Sequence, residues 1–438
     1  MWERWVWEEE MQLRWSRMMP QLALAPAVAV TFVAFIGAIG WTAWLSLTRS
    51  RRVPEYEIDW SEWTRQYERL FNDAGWAISL HNLVILGIGS ALAIVFGFVL
   101  AAMIDREWRG GADHHLAAAP GERGFAMTVV TQAAVLDEAT KASPGPRQPF
   151  FPRKRKRIPG RSVAILLFLT MCAVFFCVPL YVVVVTSFKT MDQIREGAIF
   201  SLPHVWTLEA WDHAWNKACS GINCNGLKVG FWNSVLILFP SLILSIALSI
   251  VTGYALALWN VRWANAFLFL LFICAFVPFQ VIMYPLIRIT AAIGIYGTLW
   301  GIAVVHAVLA MPVLTLIFRN YYKDIPQEIM RAAIIDSGSF WRIFIEIILP
   351  MSGNILIVVL ILQITSIWND YLIGVTFGGL GTQPMTVILA NLITVSTGVV
   401  AYNDNMAAAL LTAIPPLVIY FLVGKFFVQG ITAGAIKG

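Results

Sequence analysis

The stretch PQEIMRAAIIDSGSFWRIFIEIILP, residues Pro326–Pro350, forms a polar, charged island in an otherwise apolar part of the chain. It is preceded by GIAVVHAVLAMPVLTLIF (Gly301–Phe318) and followed by GNILIVVLILQITSIW (Gly353–Trp368). Both flanking runs are apolar enough to span a bilayer. The island must then lie on one membrane face. The small-residue break at Ser337–Ser339 predicts a helix, a turn and a second helix.

The composition of the whole chain indicates the same class of protein. Of 438 residues, 58% are hydrophobic and only 13% are charged, whereas a soluble domain carries about a quarter charged residues. The basic run Arg153–Arg157, with Arg161, precedes a long apolar stretch. Such a run could contact nucleic acid, but the apolar stretch after it favours a cytoplasmic membrane anchor. We therefore predict an all-α, polytopic membrane helical bundle.

Several stretches of the chain reach the roughly 20 apolar residues that a transmembrane helix needs. The predicted spans are Leu22–Leu47, Ala77–Met103, Ser162–Phe188, Phe231–Leu258, Asn265–Ile287, Leu299–Phe318, Ile355–Val375 and Met406–Phe427. If they alternate in direction, Arg262, the polar island and Lys425–Lys437 fall on the same side as the basic run. The positive-inside rule makes that side cytoplasmic.

Two longer segments, Lys189–Gly230 and Gly378–Asn405, are then predicted on the outer side. The second contains Met385–Val395, which is too short to span and is predicted to be a helix at the membrane interface. Prolines lie within two predicted spans and are expected to open backbone carbonyls, either as ordinary kinks or towards the transport pathway. They are Pro278, Pro285, Pro415 and Pro416.

From about Met127 to Gly438 the chain resembles, nearly end to end, the inner-membrane permease subunits of carbohydrate ABC importers. The resemblance is to the six-span, maltose-type class, and several patches in one order carry it. They are VTSFKT (Val185–Thr190), FWNSV (Phe231–Val235), GYALA (Gly253–Ala257), the polar island, SIWNDYL (Ser366–Leu372), QPMTVILANL (Gln383–Leu392) and QGITAGAIKG (Gln429–Gly438). The resemblance implies the type I permease fold of ABC importers.

Residues Pro20–Glu107 resemble the beginning of the other permease subunit of such importers, and Trp108–Ala126 resemble no part of it. We therefore interpret the chain as a fusion, with about eight transmembrane helices, two plus six. The predicted domains are a truncated permease start with two transmembrane helices (1–107), a linker and basic cytoplasmic segment (108–160) and a complete six-helix permease domain (161–438). The last includes a coupling loop at 325–350.

The island resembles the EAA loop of these permeases, whose first helix docks into a cleft of the ATPase. The resemblance implies coupling roles for Glu328, Arg331, Ala332, Ala333, Asp336, Ser337, Gly338 and Pro350. The family's Glu before the two alanines is Arg331 here, and its Gly is Ser337, so the turn is predicted to shift to Gly338. A bulky charged residue at Ala333 is expected to abolish uptake while leaving insertion intact. The ATPase-contacting tail is predicted to include Gln429, Gly430, Gly434 and Lys437.

Polar residues in or beside the spans are candidates for a sugar path, because hydroxyl groups need amides and carboxylates as partners. They are Asn233, Gln280, Asn369 and Asp370, and each also suits a helix end or an interhelical hydrogen bond. Cys219 and Cys224, in CSGINC, are a possible disulfide in an oxidising periplasm. No second Cys/His pair stands nearby, so we predict no metal site. The surrounding KACSGINCNGLKVGFWNS resembles the glucose/mannose branch, which implies a monosaccharide.

The sequence contains no GxxxxGKS/T phosphate loop and no other enzyme motif that we sought. The resemblance therefore implies a transport subunit of the bacterial inner membrane rather than an enzyme, with ATP and Mg bound by a separate ATPase and no cofactor bound by this chain. The implied partners are an ATPase dimer, a second permease, a periplasmic sugar-binding protein and the lipid bilayer, with no nucleic acid. Two alternatives stay open. The chain could be a non-functional or assembly-only fusion product, or an ion-coupled secondary carrier with Asp370 as its intramembrane acid.

Overall fold

The computed structural model describes residues 18–48, residues 61–97 except 62, 74, 93 and 96, and residues 160–435 except 222, 337 and 395–399. Helices and connecting loops account for these residues, together with two isolated β-bridges, Ser220–Asn223 and Gly297–Gly378. Within them, six helices are long and apolar enough to cross a membrane, or up to eight if each of two bent pairs is one span. The predicted all-α membrane bundle is confirmed.

The helices are named in chain order. The first four are α1 (Met18–Ser46), α2 (Arg65–Asn72), α3 (Gly75–Leu92) and α4 (Gly160–Ser187). The next six are α5 (Met191–Arg195), α6 (Glu209–Asn216), α7 (Lys228–Leu258), α8 (Ala264–Ala275), α9 (Phe279–Ala292) and α10 (Leu299–Lys323). The last six are α11 (Gln327–Asp336), α12 (Phe340–Met351), α13 (Gly353–Trp368), α14 (Leu372–Phe377), α15 (Met385–Thr394) and α16 (Tyr402–Ala435).

The chain divides into two units, of which the smaller comprises residues 47–51 and 55–168. Its described helices are α2, α3 and the first part of α4, residues 160–168. The Gln66 side chain donates a 3.0 Å hydrogen bond to the Thr48 carbonyl, and Phe71 meets Trp76 edge to face. The apolar window of α3 has no buried residue. Most of the predicted linker and the whole basic run Arg153–Arg157 lie outside the described residues.

The larger unit is built around α7 and α10, which pack along most of their length. Gly253 of α7 makes their close approach possible. A Cβ atom there would lie 2.7 Å from the Phe318 Cβ atom. Buried hydroxyls of α7 satisfy their hydrogen bonds on neighbouring helices. Ser249 donates to the Met311 carbonyl at 3.4 Å, and Ser245 accepts from the Gln363 amide at 3.3 Å.

The first predicted span, α1, packs within this larger unit. Its buried apolar residues belong to both hydrophobic clusters of the unit. They are Leu24, Ala27, Ala34, Phe35 and Ala38. In addition, the Thr42 hydroxyl donates a 2.7 Å hydrogen bond to the Val281 carbonyl of α9. The predicted boundary after residue 107 falls outside the described residues, so the domain division stays a prediction.

Two predicted spans are not single straight helices. The span predicted at Asn265–Ile287 is the pair α8 and α9, bent by 101° at a break that ends at Pro278. The span predicted at Ile355–Val375 ends at Trp368. A new helix, α14, then begins, because the Asp370 carboxylate accepts hydrogen bonds from its first N–H groups.

The remaining prolines are accommodated inside helices. Pro285 lies within α9, and Pro415 and Pro416 lie within α16, which continues past both. The short outer helix predicted at Met385–Val395 is present as α15, and it packs against α7 and α16. Of the four prolines that were expected to open backbone carbonyls, Pro278 therefore lies at a helix break, and the other three lie inside helices.

Candidate functional site

The first helix of the polar island has an inner and an outer face. Met330 and Ala333 of α11 are buried, 7% and 3% exposed, in a hydrophobic cluster of the bundle. Ile335, by contrast, is 84% exposed. Among the residues predicted to have coupling roles, those exposed on this helix are Glu328, Arg331, Ala332 and Asp336. One face of α11 is thus fixed to the bundle while the other is accessible to a partner.

The two alanines of the motif have different environments. Ala332 is exposed, whereas Ala333 packs inward. The coupling roles of both alanines stay predictions, and in this chain the Ala332 side chain is exposed whereas that of Ala333 is buried. Its small side chain lets α11 lie close to the bundle, and contact with a partner is available to Ala332.

The turn after α11 shifts as the sequence predicts. Gly338 has a φ of +60°, the left-handed conformation that glycine adopts without strain. Ser337 lies outside the described residues. After the turn, Phe340 is buried at the start of α12, and Pro350 is exposed in its last turn. The exposed Arg342 and Glu346 side chains pair at 3.0 Å one helical turn apart.

Tyrosine hydroxyl groups hold the second part of the island to the membrane helices. Tyr254 of α7, within the GYALA patch, donates a 3.1 Å hydrogen bond to the Phe340 carbonyl, and the two rings lie 4.8 Å apart. Near the end of α10, the Tyr322 hydroxyl lies 2.8 Å from the Ser352 hydroxyl. Tyr321 donates to the Met351 carbonyl at 2.8 Å. These three contacts connect α12 and the residue after it to α7 and α10.

The predicted ATPase-contacting tail is only partly described. Gln429, Gly430 and Gly434 lie in α16. Lys437 lies outside the described residues. The role of the tail stays a prediction.

Two of the four predicted path residues make side-chain hydrogen bonds to backbone groups, one in the segment after α14 and one within α14. The buried Asn233 donates hydrogen bonds to the Gly381 carbonyl at 2.8 Å and the Gln383 carbonyl at 2.9 Å. The Asp370 carboxylate accepts from the backbone N–H groups of Ile373 and Gly374. Asn369 and Gln280 are exposed, and their side-chain amides make no hydrogen bond within the part of the chain that the structure describes.

One neighbour of Asp370 was not foreseen. The buried His306 of α10 places its Nε2 atom 3.8 Å from the Asp370 Oδ2 atom. The sequence alone does not connect His306 with Asp370. Only the fold brings these two positions together, since α10 and α14 are distant in sequence and contact each other.

The segment between α4 and α7 is fixed by several polar contacts. The almost completely buried Lys189, in the VTSFKT patch, donates to the Ala198 carbonyl at 2.8 Å. Its own carbonyl accepts from Asn403 of α16 at 3.2 Å. A disulfide joins Cys219 and Cys224. The distribution of charged residues along the sequence did not indicate that Lys189 is buried.

An exposed ion pair lies beside this disulfide. The Lys217 ammonium is 2.8 Å from the Asp212 carboxylate. The hydrogen bond from Lys217 lowers the pKa of Asp212, and the same bond raises the pKa of Lys217. Because both groups are exposed, the pair is screened by solvent and contributes little to stability.

Known proteins match the regions that contain this geometry. Residues 245–433, which include α10 to α14 and the island, match the family described as "Binding-protein-dependent transport system inner membrane component". A probable ABC transporter permease protein of Pyrococcus horikoshii is 42% identical over 164 residues, which are 37% of this chain and 59% of that relative. This alignment covers less than two thirds of that relative's length.

Two further relatives are covered over more of their length. The osmoprotective compounds uptake permease protein of Synechocystis is 31% identical over 219 residues, 49% of this chain and 72% of the relative. The arabinooligosaccharides transport system permease protein of Halalkalibacterium halodurans is 28% identical over 297 residues, 65% of this chain and 100% of the relative. With its apolar helices, this chain is a multi-pass protein of the inner membrane. It belongs to the family of inner-membrane components of binding-protein-dependent transport systems, the permeases of ABC transporters.

Proposed function

We propose that this chain is the transmembrane subunit of an ATP-driven importer that moves a sugar across the inner membrane, and that α11 docks on a separate ATPase. The observation that carries the proposal is the exposed outer face of α11 on a loop whose inner face is buried. The Ile335 side chain is 84% exposed, and Ile329 and Ile334 of the same helix are exposed as well. An exposed apolar patch on a polar loop is typical of an interaction surface. A cleft on the ATPase would cover it.

The contacts of α12 explain how docking would move the membrane helices. Motion imposed on α11 reaches Phe340 across the short turn at Gly338. The hydrogen bond from Tyr254 to the Phe340 carbonyl then links the loop to α7, and the Tyr322–Ser352 contact links it to α10. Packed helices and hydrogen bonds that act as a unit are the means by which such motion is carried over a distance.

The partners follow from this role. An ATPase dimer would bind ATP and Mg, so that this chain binds no cofactor itself. A second permease would complete the path, and a periplasmic binding protein would deliver the cargo. The name of the family that the chain belongs to, which refers to a binding protein, supports the last of these.

The proposed cargo is a sugar, and more narrowly a monosaccharide such as glucose or mannose. The arabinooligosaccharide permease among the relatives supports the sugar class. The resemblance of the segment around Cys219 and Cys224 to the glucose/mannose branch supports the narrower class. Asn233 and Asp370 are the path residues whose positions support a role at the outer end of the helices. Asn233 contacts the segment that follows α14, and the Asp370 carboxylate accepts a hydrogen bond from the first turn of α14.

The test uses Ile335→Glu in the full-length chain, assembled with its ATPase, second permease and binding protein in lipid nanodiscs. We expect a loss of at least about tenfold in binding-protein-stimulated ATP hydrolysis, because a charge replaces the apolar contact. The matched control is Ile293→Glu, which places the same charge at an exposed isoleucine on the predicted outer side. Thermal unfolding checks that both variants are folded. Undiminished ATP hydrolysis by Ile335→Glu would refute docking through α11.

A further inference from the structure

A small cavity lies between the disulfide loop and the segment that joins α14 to α15. Its volume is about 130 Å³. Polar residues from both sides line it, together with Val229 and Ile388. The polar lining includes Ser220, Asn223, Asn225, Asn233 and Gln383. We call this cavity the outer pocket.

The walls of the outer pocket are held in place before any ligand enters. Asn233, at its base, donates both amide hydrogen bonds to the carbonyls of Gly381 and Gln383. Ser234 accepts a 2.9 Å hydrogen bond from the Met385 N–H group. On the opposite side, the disulfide closes the loop, and Asn391 donates to the Ser220 hydroxyl at 3.1 Å. A site fixed in this way loses little freedom on binding.

The rim of the pocket carries unused hydrogen-bonding groups. The side-chain amides of Asn223, Asn225 and Gln383 make no hydrogen bond within the described residues. Each amide offers both donors and an acceptor. Asn223 and Asn225 are exposed, so they can meet a ligand that arrives from solvent.

The chemistry of the lining selects a class of ligand. Among the described residues, no charged side chain lines the pocket, whereas sites for phosphate or carboxylate groups are typically built with arginine or lysine. The paired donors and acceptors match hydroxyl groups, and the aliphatic side chains of Val229 and Ile388 match the C–H faces of a ring. The volume is smaller than the roughly 300 Å³ at which pockets for drug-sized ligands begin. One ring therefore fits better than an oligosaccharide.

We infer that the outer pocket binds one neutral, polyhydroxylated ring of the transported sugar before the sugar enters the membrane. The inference rests on the proposed function for the identity of the cargo. It goes beyond that function in assigning a binding site to the disulfide loop. Residues 189–230 and 378–405 are on the predicted outer side, so the ligand would meet this pocket first.

The experiment is saturation-transfer difference NMR on the full-length chain alone in nanodiscs, with D-glucose and D-xylose as probes and lactate as an anionic comparison. We expect both sugars, and not lactate, to receive saturation from the protein. The double variant Asn225→Ala/Gln383→Ala should weaken sugar binding roughly tenfold, because it removes two net hydrogen bonds. Val229→Phe, which fills the cavity and keeps the amides, should weaken it as well. Asn265→Ala removes an exposed amide elsewhere and should leave binding unchanged.

Each result decides the inference. Binding that is equal in wild type and the double variant would place the sugar elsewhere and overturn it. Absence of sugar binding by the wild type would also overturn it. Sugar binding at the disulfide loop that occurs only after a binding protein is added would overturn it as well. The proposed function is judged separately by sugar uptake in the complete assembly. Absence of sugar binding by the wild-type chain with intact uptake in the assembly therefore refutes the pocket alone, whereas absence of uptake with any sugar refutes the proposed function.

Discussion

The hydroxyl group of Tyr254 donates a 3.1 Å hydrogen bond to the backbone carbonyl of Phe340. The donor belongs to the central membrane helix α7, and the acceptor opens the second helix of the polar island. Both residues are completely or almost completely buried. This bond connects the candidate docking surface with the part of the bundle that would have to move during transport.

Replacing Tyr254 by phenylalanine keeps the ring contact and removes the donor. We expect a loss of about 1 kcal/mol in stability, because the Phe340 carbonyl loses its side-chain partner. The fraction of ATP hydrolysis that yields transported sugar should also fall. The measurements are thermal unfolding in detergent and uptake per ATP hydrolysed. Tyr420→Phe, at an exposed tyrosine of α16, is the control. A variant at Tyr254 that matches wild type in both measurements would show that the bond is unimportant.

Replacing Gly253 by alanine tests the close contact between α7 and α10. The new Cβ atom would lie 2.7 Å from the Phe318 Cβ atom and 2.9 Å from the Arg319 backbone nitrogen. The helices must then separate, which costs typically about 1–3 kcal/mol. Gly353→Ala is the matched control, since no heavy atom lies within 4 Å of its added Cβ. Thermal unfolding should show a lower midpoint for Gly253→Ala alone, and an equal midpoint would disprove the tight contact.

Charged substitutions at the two neighbouring alanines of the motif should differ in their effects. Ala333→Glu buries a carboxylate in an apolar cluster without a partner, which costs several kcal/mol or forces the helix outward. We therefore expect lost uptake together with a lower unfolding midpoint, although the chain still inserts. Ala332→Glu lies on the exposed face and should lose uptake at a normal midpoint. Membrane blots, unfolding and uptake distinguish these outcomes. Equal midpoints for the two variants would contradict the assignment of faces.

The disulfide between Cys219 and Cys224 can be tested with a membrane-impermeant maleimide. Neither cysteine should be labelled in unreduced membranes, and both should be labelled after reduction. The variant Cys219→Ser leaves Cys224 without its partner and should be labelled without a reductant. The chain-entropy relation gives about 2 kcal/mol for closing such a short loop, so this variant should also unfold at a lower temperature. Ready labelling of either cysteine in unreduced wild type would rule the bridge out.

Features that depend on local sequence could be predicted. The apolar runs identified α1, α3, α4, α7, α10 and α16 because hydropathy is read directly from composition. The helix–turn–helix form of the island and the shift of its turn to Gly338 follow from propensity and glycine chemistry. The end of α13 at Trp368 could also have been predicted, since an Asn–Asp pair at 369–370 is a typical helix-capping signal.

Features that depend on distant contacts could not be predicted. Hydropathy does not identify which helices pack against each other. The sequence therefore did not indicate the burial of Ala333 or the hydrogen bond from Tyr254 to Phe340. The 101° bend before α9 is larger than the kink that a single proline suggests. The outer pocket combines residues near 220 and 383, which only the fold brings together.

The last prediction concerns the part of the chain before Met127, which the sequence suggests is a remnant of a second permease. In the structure, α1 nevertheless packs on α8 and α9 and contributes the hydrogen bond from Thr42 to Val281. Lipid tails are as apolar as these side chains, so a chain that begins at Met127 loses packing and one hydrogen bond rather than hydrophobic burial. We expect it to unfold at a lower temperature in detergent.

We also expect the Met127 chain to transport as well as the full chain when a complete partner permease is present, because α1 and α3 bring no coupling loop of their own. The measurement is labelled-sugar uptake by both chains in matched membranes, with insertion checked by blotting. Thr42→Val in the full chain is the control for the lost hydrogen bond and should account for only part of the change in unfolding temperature. If only the full chain transports, and does so without any separate partner permease, then residues 1–126 are functional. Their interpretation as a remnant would then be wrong.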